Sequence, residues 1–192
     1  MTVVWIVVGV VALLLIYVIY RFNRLIRLRT RTQEAWSEID VELKRRHDLI
    51  PNLVETVRGY AAHERGVFEE VANARANAVT AAQTGNPATM AGAEDALTGS
   101  LGRLFAVAEN YPQLKAADVF LNLQEQLTTT EDKVEFSRRF YNGNARDFNV
   151  AAQTFPTNLF ARMLGFSPFA FFQAQESDRA VPSAQLAAPP PV

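Results

Sequence analysis

The chain has 192 residues, of which 49% are hydrophobic and 20% charged, so it is neither a disordered polymer nor a protein embedded wholly in lipid. Its formal net charge of -1 argues against a broad polyanion-binding surface, and we therefore expect no nucleic acid partner. The lack of cysteine excludes disulfides, thiol nucleophiles and cysteine-ligated metals, and histidine is confined to His47 and His63.

Residues 3–20 form an uncharged apolar run, VVWIVVGVVALLLIYVIY. At about 1.5 Å per residue a helix of this length covers about 27 Å, close to a hydrocarbon core of about 30 Å. A cleavable signal peptide would need a basic n-region and a small-residue cleavage site, and this run has neither. A buried soluble helix is the other alternative, but such helices rarely lack polar residues for so long. We predict an uncleaved transmembrane helix over 3–20, after a short non-cytoplasmic N-terminus at residues 1–2.

Arginines crowd the C-terminal flank of the apolar run, whereas the N-terminal flank carries only the amino terminus. These membrane-flanking residues are Arg21, Arg24, Arg27, Arg29 and Arg31. The positive-inside bias predicts that the N-terminus lies outside and that the following domain is cytoplasmic. The same arginines can contact anionic headgroups, so membrane lipid is an expected partner.

Apolar residues continue from Leu25 at alternating spacings of three and four, which indicates an amphipathic bundle helix. The seam comprises Thr32, Trp36, Ile39, Leu43, Arg46, Ile50, Leu53, Val57 and Tyr60. Arg46 is its one clear break. Pro51 lies inside the run and predicts a kink or a local restart. Two glycines weaken the pattern around His63, where the chain either runs straight on or turns back.

Two proline-containing sequences divide the rest of the chain into helices. The register resumes after His63, and Gly85-Asn86-Pro87 then predicts a stop and a restart, with the asparagine as N-cap and the proline in the first helical position. The third helix is predicted to end at Tyr111-Pro112.

The last helix has the clearest seam. It comprises Phe120, Leu123, Leu127, Thr130, Val134, Ser137, Tyr141, Ala145, Phe148, Ala152 and Phe155. Asp118 is its predicted N-cap, Pro156 its end, and Phe136 and Phe140 are expected to thicken the seam. No alternating strand pattern occurs. The predicted fold class is all-α, an N-terminal transmembrane helix followed by an antiparallel up-down four-helix bundle over residues 21–175. An intermolecular coiled coil is the alternative, but broken seams and short loops favour an intramolecular core.

The segment from Phe155 to Phe172 contains six phenylalanines. A hydrophobic plug that closes the end of the bundle is the favoured interpretation. The alternative is a surface that contacts lipid or a partner, because the fourth helix of an up-down bundle returns toward the membrane. The residues considered for that contact are Phe160, Phe166, Phe169, Phe171 and Phe172. The Pro/Ala-rich tail over residues 176–192 is expected to be disordered.

No catalytic, cofactor-binding or metal site is predicted. The sequence beginning at His63-Glu64 resembles the start of a zincin motif, but Val67 stands where the second histidine would have to be. The basic cluster of Lys44, Arg45 and Arg46 is either a solvated face with local ion pairs or a contact site for an anionic partner. We therefore expect no enzyme activity and no cofactor.

Several blocks together resemble the LemA family. They are Tyr20-Arg21-Phe22-Asn23-Arg24-Leu25, Glu34-Ala35-Trp36-Ser37-Glu38-Ile39-Asp40-Val41, Lys44-Arg45-Arg46-His47-Asp48-Leu49-Ile50-Pro51-Asn52-Leu53-Val54, Gly59-Tyr60-Ala61-Ala62-His63-Glu64, Asn122-Leu123-Gln124-Glu125-Gln126-Leu127, Phe140-Tyr141-Asn142 and Thr154-Phe155-Pro156-Thr157-Asn158. The resemblance implies a single-pass protein of the bacterial inner membrane with a four-helix bundle, and a turn near His63. It also implies a membrane protein partner, such as a membrane zinc metalloprotease, and it carries over no catalytic residues.

Two functions follow from these expectations. The first is a membrane-anchored scaffold or adaptor that binds another membrane protein at the cytoplasmic face. The second is a membrane-remodelling protein that forms homo-oligomers and uses the arginine flank and the phenylalanine-rich segment on lipid. An unrecognised hydrolase is the least favoured hypothesis.

Overall fold

The computed structural model describes residues 1–173, and every regular element in that part of the chain is a helix. The elements are α1 (Thr2–Arg58), α2 (Arg65–Gln83), α3 (Pro87–Glu109), α4 (Pro112–Lys115), α5 (Asp118–Gln153) and α6 (Asn158–Ala161). The predicted all-α class with a long apolar N-terminal helix is confirmed. The tail predicted to be disordered, residues 176–192, lies outside the described residues.

The first helix continues without interruption from the apolar run into the packed domain. It passes through Pro51, so a restart at that position is wrong. A proline has no N–H to give to the carbonyl four residues earlier, which here belongs to His47. The guanidinium of Arg75 in α2 compensates, because its Nε donates to the His47 carbonyl oxygen at 2.7 Å. The proline therefore creates an acceptor that ties α1 to α2.

The chain turns between α1 and α2, which decides between the two alternatives near His63. The restart before α3 is confirmed: Gly85 has a φ of 63°, and the Asn86 side chain accepts from the backbone N–H groups of the second and third helical residues. The predicted cap of α5 is wrong by one residue. Ala117 is the N-cap, and Asp118 is the first helical residue, where its charge favours the positive end of the helix dipole.

Helices α1 and α5 pack side by side in opposite directions. The ring centroids of Trp36 and Tyr141 lie 5.1 Å apart, and farther along α1 the Arg46 guanidinium lies 2.7 Å from Glu131. Position numbers rise on one helix as they fall on the other, so the pair is antiparallel. Helices α2 and α3 form a second antiparallel pair, which the Glu70–Arg103 ion pair bridges on its exposed side.

Most predicted seam positions are buried, but some large side chains are not. Tyr60 and Phe155 are exposed, so both seams end earlier than predicted. Phe136 and Phe140 are 61% and 47% exposed, so the prediction that they thicken the α5 seam is wrong. Each precedes a buried seam residue by one position, which turns it about 100° away from the core, onto a flank of α5 that leaves it exposed.

Candidate membrane and partner surfaces

The apolar run and the packed domain meet at a well-connected junction. Arg21 is the first residue after the run, and its Nε donates to the buried Thr157 hydroxyl at 2.9 Å. The rings of Phe22 and Phe166 lie edge to face, with centroids 5.8 Å apart. A buried cluster joins α1, α5 and α6 at this level. Its members are Leu25, Phe148, Ala151, Ala152, Ala161 and Phe166. The end of α5 and the segment after it therefore lie beside the first turns beyond residue 20.

The membrane-flanking arginines differ in their surroundings. Arg21 is half-buried against the Thr157 hydroxyl, and the others are exposed. The exposed members are Arg24, Arg27, Arg29 and Arg31. Their guanidinium groups are open to headgroups of a membrane at this level, and their contact with lipid stays a prediction.

After Gly165 the chain runs back along α5 as an extended strap, residues 166–173. Two asparagines of α5 fix it. The Asn149 side chain accepts from the Phe169 N–H at 2.8 Å and donates to its carbonyl at 2.9 Å. The Asn142 side chain makes the same pair of bonds with Phe172, both at 2.8 Å. The asparagines are seven residues apart, so they lie on one face of α5 and act as surrogate backbone partners for the strap.

The strap and the turn before it sort the phenylalanines into different environments. Phe166 and Phe172 are buried in the core, as the favoured plug requires, so the alternative of contact with lipid or a partner is wrong for these two side chains. Phe160, Phe169 and Phe171 are half-buried. The large exposed apolar side chains of this region are different ones, and we call them the juxtamembrane patch. The patch consists of Phe155, Leu159, Met163 and Leu164.

The basic cluster of α1 is divided by burial. Lys44 and Arg45 are exposed, and the Lys44 ammonium lies 3.3 Å from Asp48. Arg46 is only 3% exposed and holds Glu94 of α3 at 2.9 Å. The alternative that Arg46 contacts an anionic partner is therefore wrong, because its charge is already paired inside the domain. For Lys44 and Arg45 it stays a prediction.

The buried charge cluster links three helices. Glu94 is also bonded through its second oxygen to His47 Nε2 at 2.7 Å, and Arg46 donates to Thr98 at 2.8 Å. A half-buried Glu131 of α5 completes the set at 2.7 Å from Arg46. A buried charge is tolerated only when its hydrogen bonds are satisfied, which these contacts achieve. The cluster therefore fixes the register of α1, α3 and α5.

A groove of about 560 Å³ opens between α1 and α5 on the opposite side from the strap. Its lining residues are Ser37, Glu38, Val41, Glu42, Thr129, Asp132, Lys133, Phe136 and Ser137. The Phe136 ring stacks on that of Phe140, with centroids 6.3 Å apart and planes 5° from parallel. Val41 is 65% exposed. Within residues 1–173, Glu42 Oε2 is the one buried side-chain oxygen or nitrogen without a hydrogen-bond partner.

Within residues 1–173, two side chains have clearly displaced pKa values. Partial burial raises the pKa of Asp40, and burial raises the pKa of Tyr141, whose hydroxyl donates to the Ala170 carbonyl at 2.8 Å. No group of three or more histidine, aspartate and glutamate side chains in residues 1–173 could hold a metal ion.

Within residues 1–173, α1 is the one helix that is long and apolar enough to cross a membrane.

The chain is similar to known proteins over most of its length. Residues 35–185 match the model of the LemA family. A relative named Protein LemA, from Metamycoplasma hominis, is 30% identical, and the match covers 85% of this chain and 74% of the relative. The magnetosome protein MamQ 2 of Paramagnetospirillum magneticum is 27% identical over 80% of this chain, and MamQ of Magnetospirillum gryphiswaldense is 26% identical over 79%. The matches span 65% and 64% of those two MamQ relatives. None of these names denotes an enzyme.

Proposed function

Because this chain belongs to the LemA family, we propose that it is a membrane-anchored, non-enzymatic scaffold that binds another membrane protein at the cytoplasmic face. In this proposal residues 3–20 cross the bacterial inner membrane once, with the N-terminus outside. Residues 21–175 form a cytoplasmic antiparallel up-down four-helix bundle. The excess of arginine after the apolar run supports this orientation.

The observation that carries the proposal is the continuity of α1. One helix of 57 residues contains both the apolar run and the first long helix of the packed domain. No flexible linker separates them, so the domain is held in a fixed position relative to the membrane. Val41 follows the run by 21 positions, which places the groove about 31 Å beyond its end. A scaffold that presents a binding surface at a fixed distance from the membrane needs this rigid connection.

The groove has the chemistry of a protein-binding surface. Phe136, Phe140 and Val41 expose apolar side chains together, whereas single exposed apolar residues would need no explanation. Glu42 and Lys133 add charged groups to the groove, with the Lys133 ammonium 4.0 Å from Glu42 Oε1. A partner with an apolar anchor beside a polar or charged group fits this lining. A membrane zinc metalloprotease is the class of partner that the family resemblance supports.

The test compares two matched pairs of exposed residues on α5. Phe136 and Phe140 are changed to serine in one variant. In the control, Val119 and Leu121, which are 62% and 46% exposed at the far end of the helix, are changed to serine. Tagged full chains are purified from gently solubilised native membranes, and the copurifying proteins are identified.

The proposal expects a near-stoichiometric membrane protein with the unaltered chain and the control, and its loss with the groove variant. All three chains should keep the same helical circular dichroism spectrum, because the changed side chains are exposed. Equal recovery of the partner with both variants would place the binding surface elsewhere, and recovery of the chain alone from every preparation would contradict the scaffold.

Membrane remodelling by self-assembly is a second candidate function, and the juxtamembrane patch favours it. Three of the similar proteins are named magnetosome proteins. In this alternative the chain forms homo-oligomers on the membrane, which reconstitution into vesicles would test. Electron micrographs should then show tubes or constricted necks at high protein density, and vesicles that stay spherical would exclude it.

A further inference from the structure

The juxtamembrane patch lies at the level where the apolar run of α1 ends. The hydrogen bond from Arg21 to Thr157 and the contact of Phe22 with Phe166 bring the segment after α5 against the first turn beyond residue 20. Thr157 therefore lies within reach of the Arg21 side chain, near the end of the run. Leu159 and Met163 follow Thr157 directly in the same compact turn.

The exposed side chains of this turn share one side. Leu159 and Met163 are 70% and 81% exposed and four positions apart, a spacing that puts both on one face of the helical turns around α6. Phe155, which lies before these turns, is also 73% exposed. The opposite side of the turn is buried, with Ala161 in the cluster beneath. The segment is thus amphipathic, and its outer apolar side is largely exposed in the described chain.

The charge around the patch identifies what covers it. Residues 1–33 and 148–173 contain no aspartate or glutamate. Every ionisable side chain with a full charge in these two stretches is an arginine, and they number six. They are Arg21, Arg24, Arg27, Arg29, Arg31 and Arg162. An apolar patch beside arginines, in stretches without carboxylates, matches the boundary of a bilayer that contains anionic lipid, where acyl chains meet negative headgroups.

We propose that the juxtamembrane patch inserts into the headgroup–acyl boundary of the anionic bilayer that α1 crosses, as a second membrane contact of the same chain. The inference rests on the proposed membrane anchor. Because α1 enters the bilayer beside the patch, insertion needs no additional reach and fixes the rotation of the domain about the α1 axis. The groove at Val41 and Phe136 is then held in one direction as well as at one height.

The test uses single-cysteine variants, which the cysteine-free chain allows without removal of native residues. Leu159→Cys and Met163→Cys each receive a polarity-sensitive NBD label in the full chain, reconstituted in nanodiscs of phosphatidylcholine and phosphatidylglycerol. Leu14→Cys reports on the anchor, and Val119→Cys reports on the far end of the domain. Nitroxide-bearing acyl chains are then included as quenchers.

We expect blue-shifted emission and loss of intensity with quencher at Leu159, Met163 and Leu14, and aqueous, unquenched emission at Val119. Substituting phosphatidylcholine for all of the phosphatidylglycerol should lessen the quenching at Met163, because the arginines lose their anionic partners. Aqueous emission at Leu159 and Met163 with a quenched label at Leu14 would overturn the patch proposal and leave the anchor standing. An unquenched label at Leu14 would overturn both. Blue-shifted but unquenched emission at the patch would show that protein covers it, which also overturns the proposal.

Discussion

The two halves of α1 are equally helical but place their apolar residues in opposite ways. Residues 3–20 expose apolar side chains on every face of the helix. From Leu25 to Val57 most apolar side chains fall on one stripe that is almost completely buried, and Ile26 and Val41 are exposed outside it. A helix that is apolar all round must be surrounded by an apolar medium, whereas a stripe needs only a partner on one side. In the proposed membrane anchor, one continuous helix therefore passes from lipid into its own domain.

The largest expected effect comes from charge in the lipid-facing half. Val11→Arg with Leu14→Arg should prevent stable insertion, because each arginine near the centre of a spanning helix costs about 2.5–3.5 kcal/mol. Val41→Arg, at a position of similar exposure in the packed half, should leave insertion unchanged. Carbonate extraction of isolated membranes measures the difference. Equal retention of both variants in the membrane pellet would remove the distinction between the halves.

The next largest effect is expected at the buried pair of Arg46 and Glu94 in the packed half of α1. Glu94→Ala leaves the buried Arg46 guanidinium without its buried partner, and loss of one member of such a pair costs about 3–5 kcal/mol. Thermal unfolding of the full chain in detergent should show a large fall in Tm. Lys44→Ala breaks an exposed pair with Asp48 and serves as the control, with a shift close to the error of the measurement. A Tm for the Glu94 variant near that of the control would show that Arg46 is not held as described.

The sequence predicts the helical fold well because burial repeats with the period of a helix. Seam residues from Leu43 to Val57 in α1 and from Phe120 to Ala152 in α5 are buried as the spacing indicates. The spacing of apolar residues predicts which side of a helix faces the core. It does not predict how much of the helix surface the neighbouring helices cover. Phe136 and Phe140 lie one position from the seam, and only the packing decides that they remain outside.

Part of the candidate site, the buried pair of Arg46 and Glu94, also has a signal in the sequence. Arg46 breaks the α1 seam. Glu94 follows Met90 by four positions and precedes Leu97 by three, which is the spacing of a buried stripe in α3. Opposite charges at two such positions indicate a buried pair. The strap has no comparable signal, because Asn142 binds backbone groups, which every residue carries.

A smaller effect is expected where the strap meets α5. Asn142→Ala removes two hydrogen bonds to Phe172, which together contribute about 1–3 kcal/mol to holding the strap. Hydrogen exchange of the Phe172 amide should accelerate by about one to two orders of magnitude, while the amides of α1 keep their protection. Asn144→Ala, which loses only a local bond to the Phe140 carbonyl, should leave Phe172 unchanged. Unaltered exchange in the Asn142 variant would contradict the attachment.

The smallest effect is a pH dependence in the packed half. Burial raises the folded-state pKa of Asp40 above its ordinary 3.8, so the folded protein favours the protonated carboxyl. The contribution to stability is fully present below pH 3.8 and is lost as pH rises through the folded-state pKa. Asp40→Asn should therefore raise Tm slightly at pH 7 and leave it unchanged near pH 3. A decrease at pH 7 would show that the ionised carboxylate is stabilising.

Oxygen accessibility of single spin labels, placed in turn along α1 of the full chain in nanodiscs, tests the contrast between its halves most directly. The account predicts high oxygen accessibility at every position from 3 to 20, without helical periodicity. From position 25 the accessibility should fall, with minima at the buried residues Ile39, Leu43, Ile50 and Val57. A periodic pattern that begins within residues 3–20 would show that this half packs against protein, and it would contradict the membrane anchor.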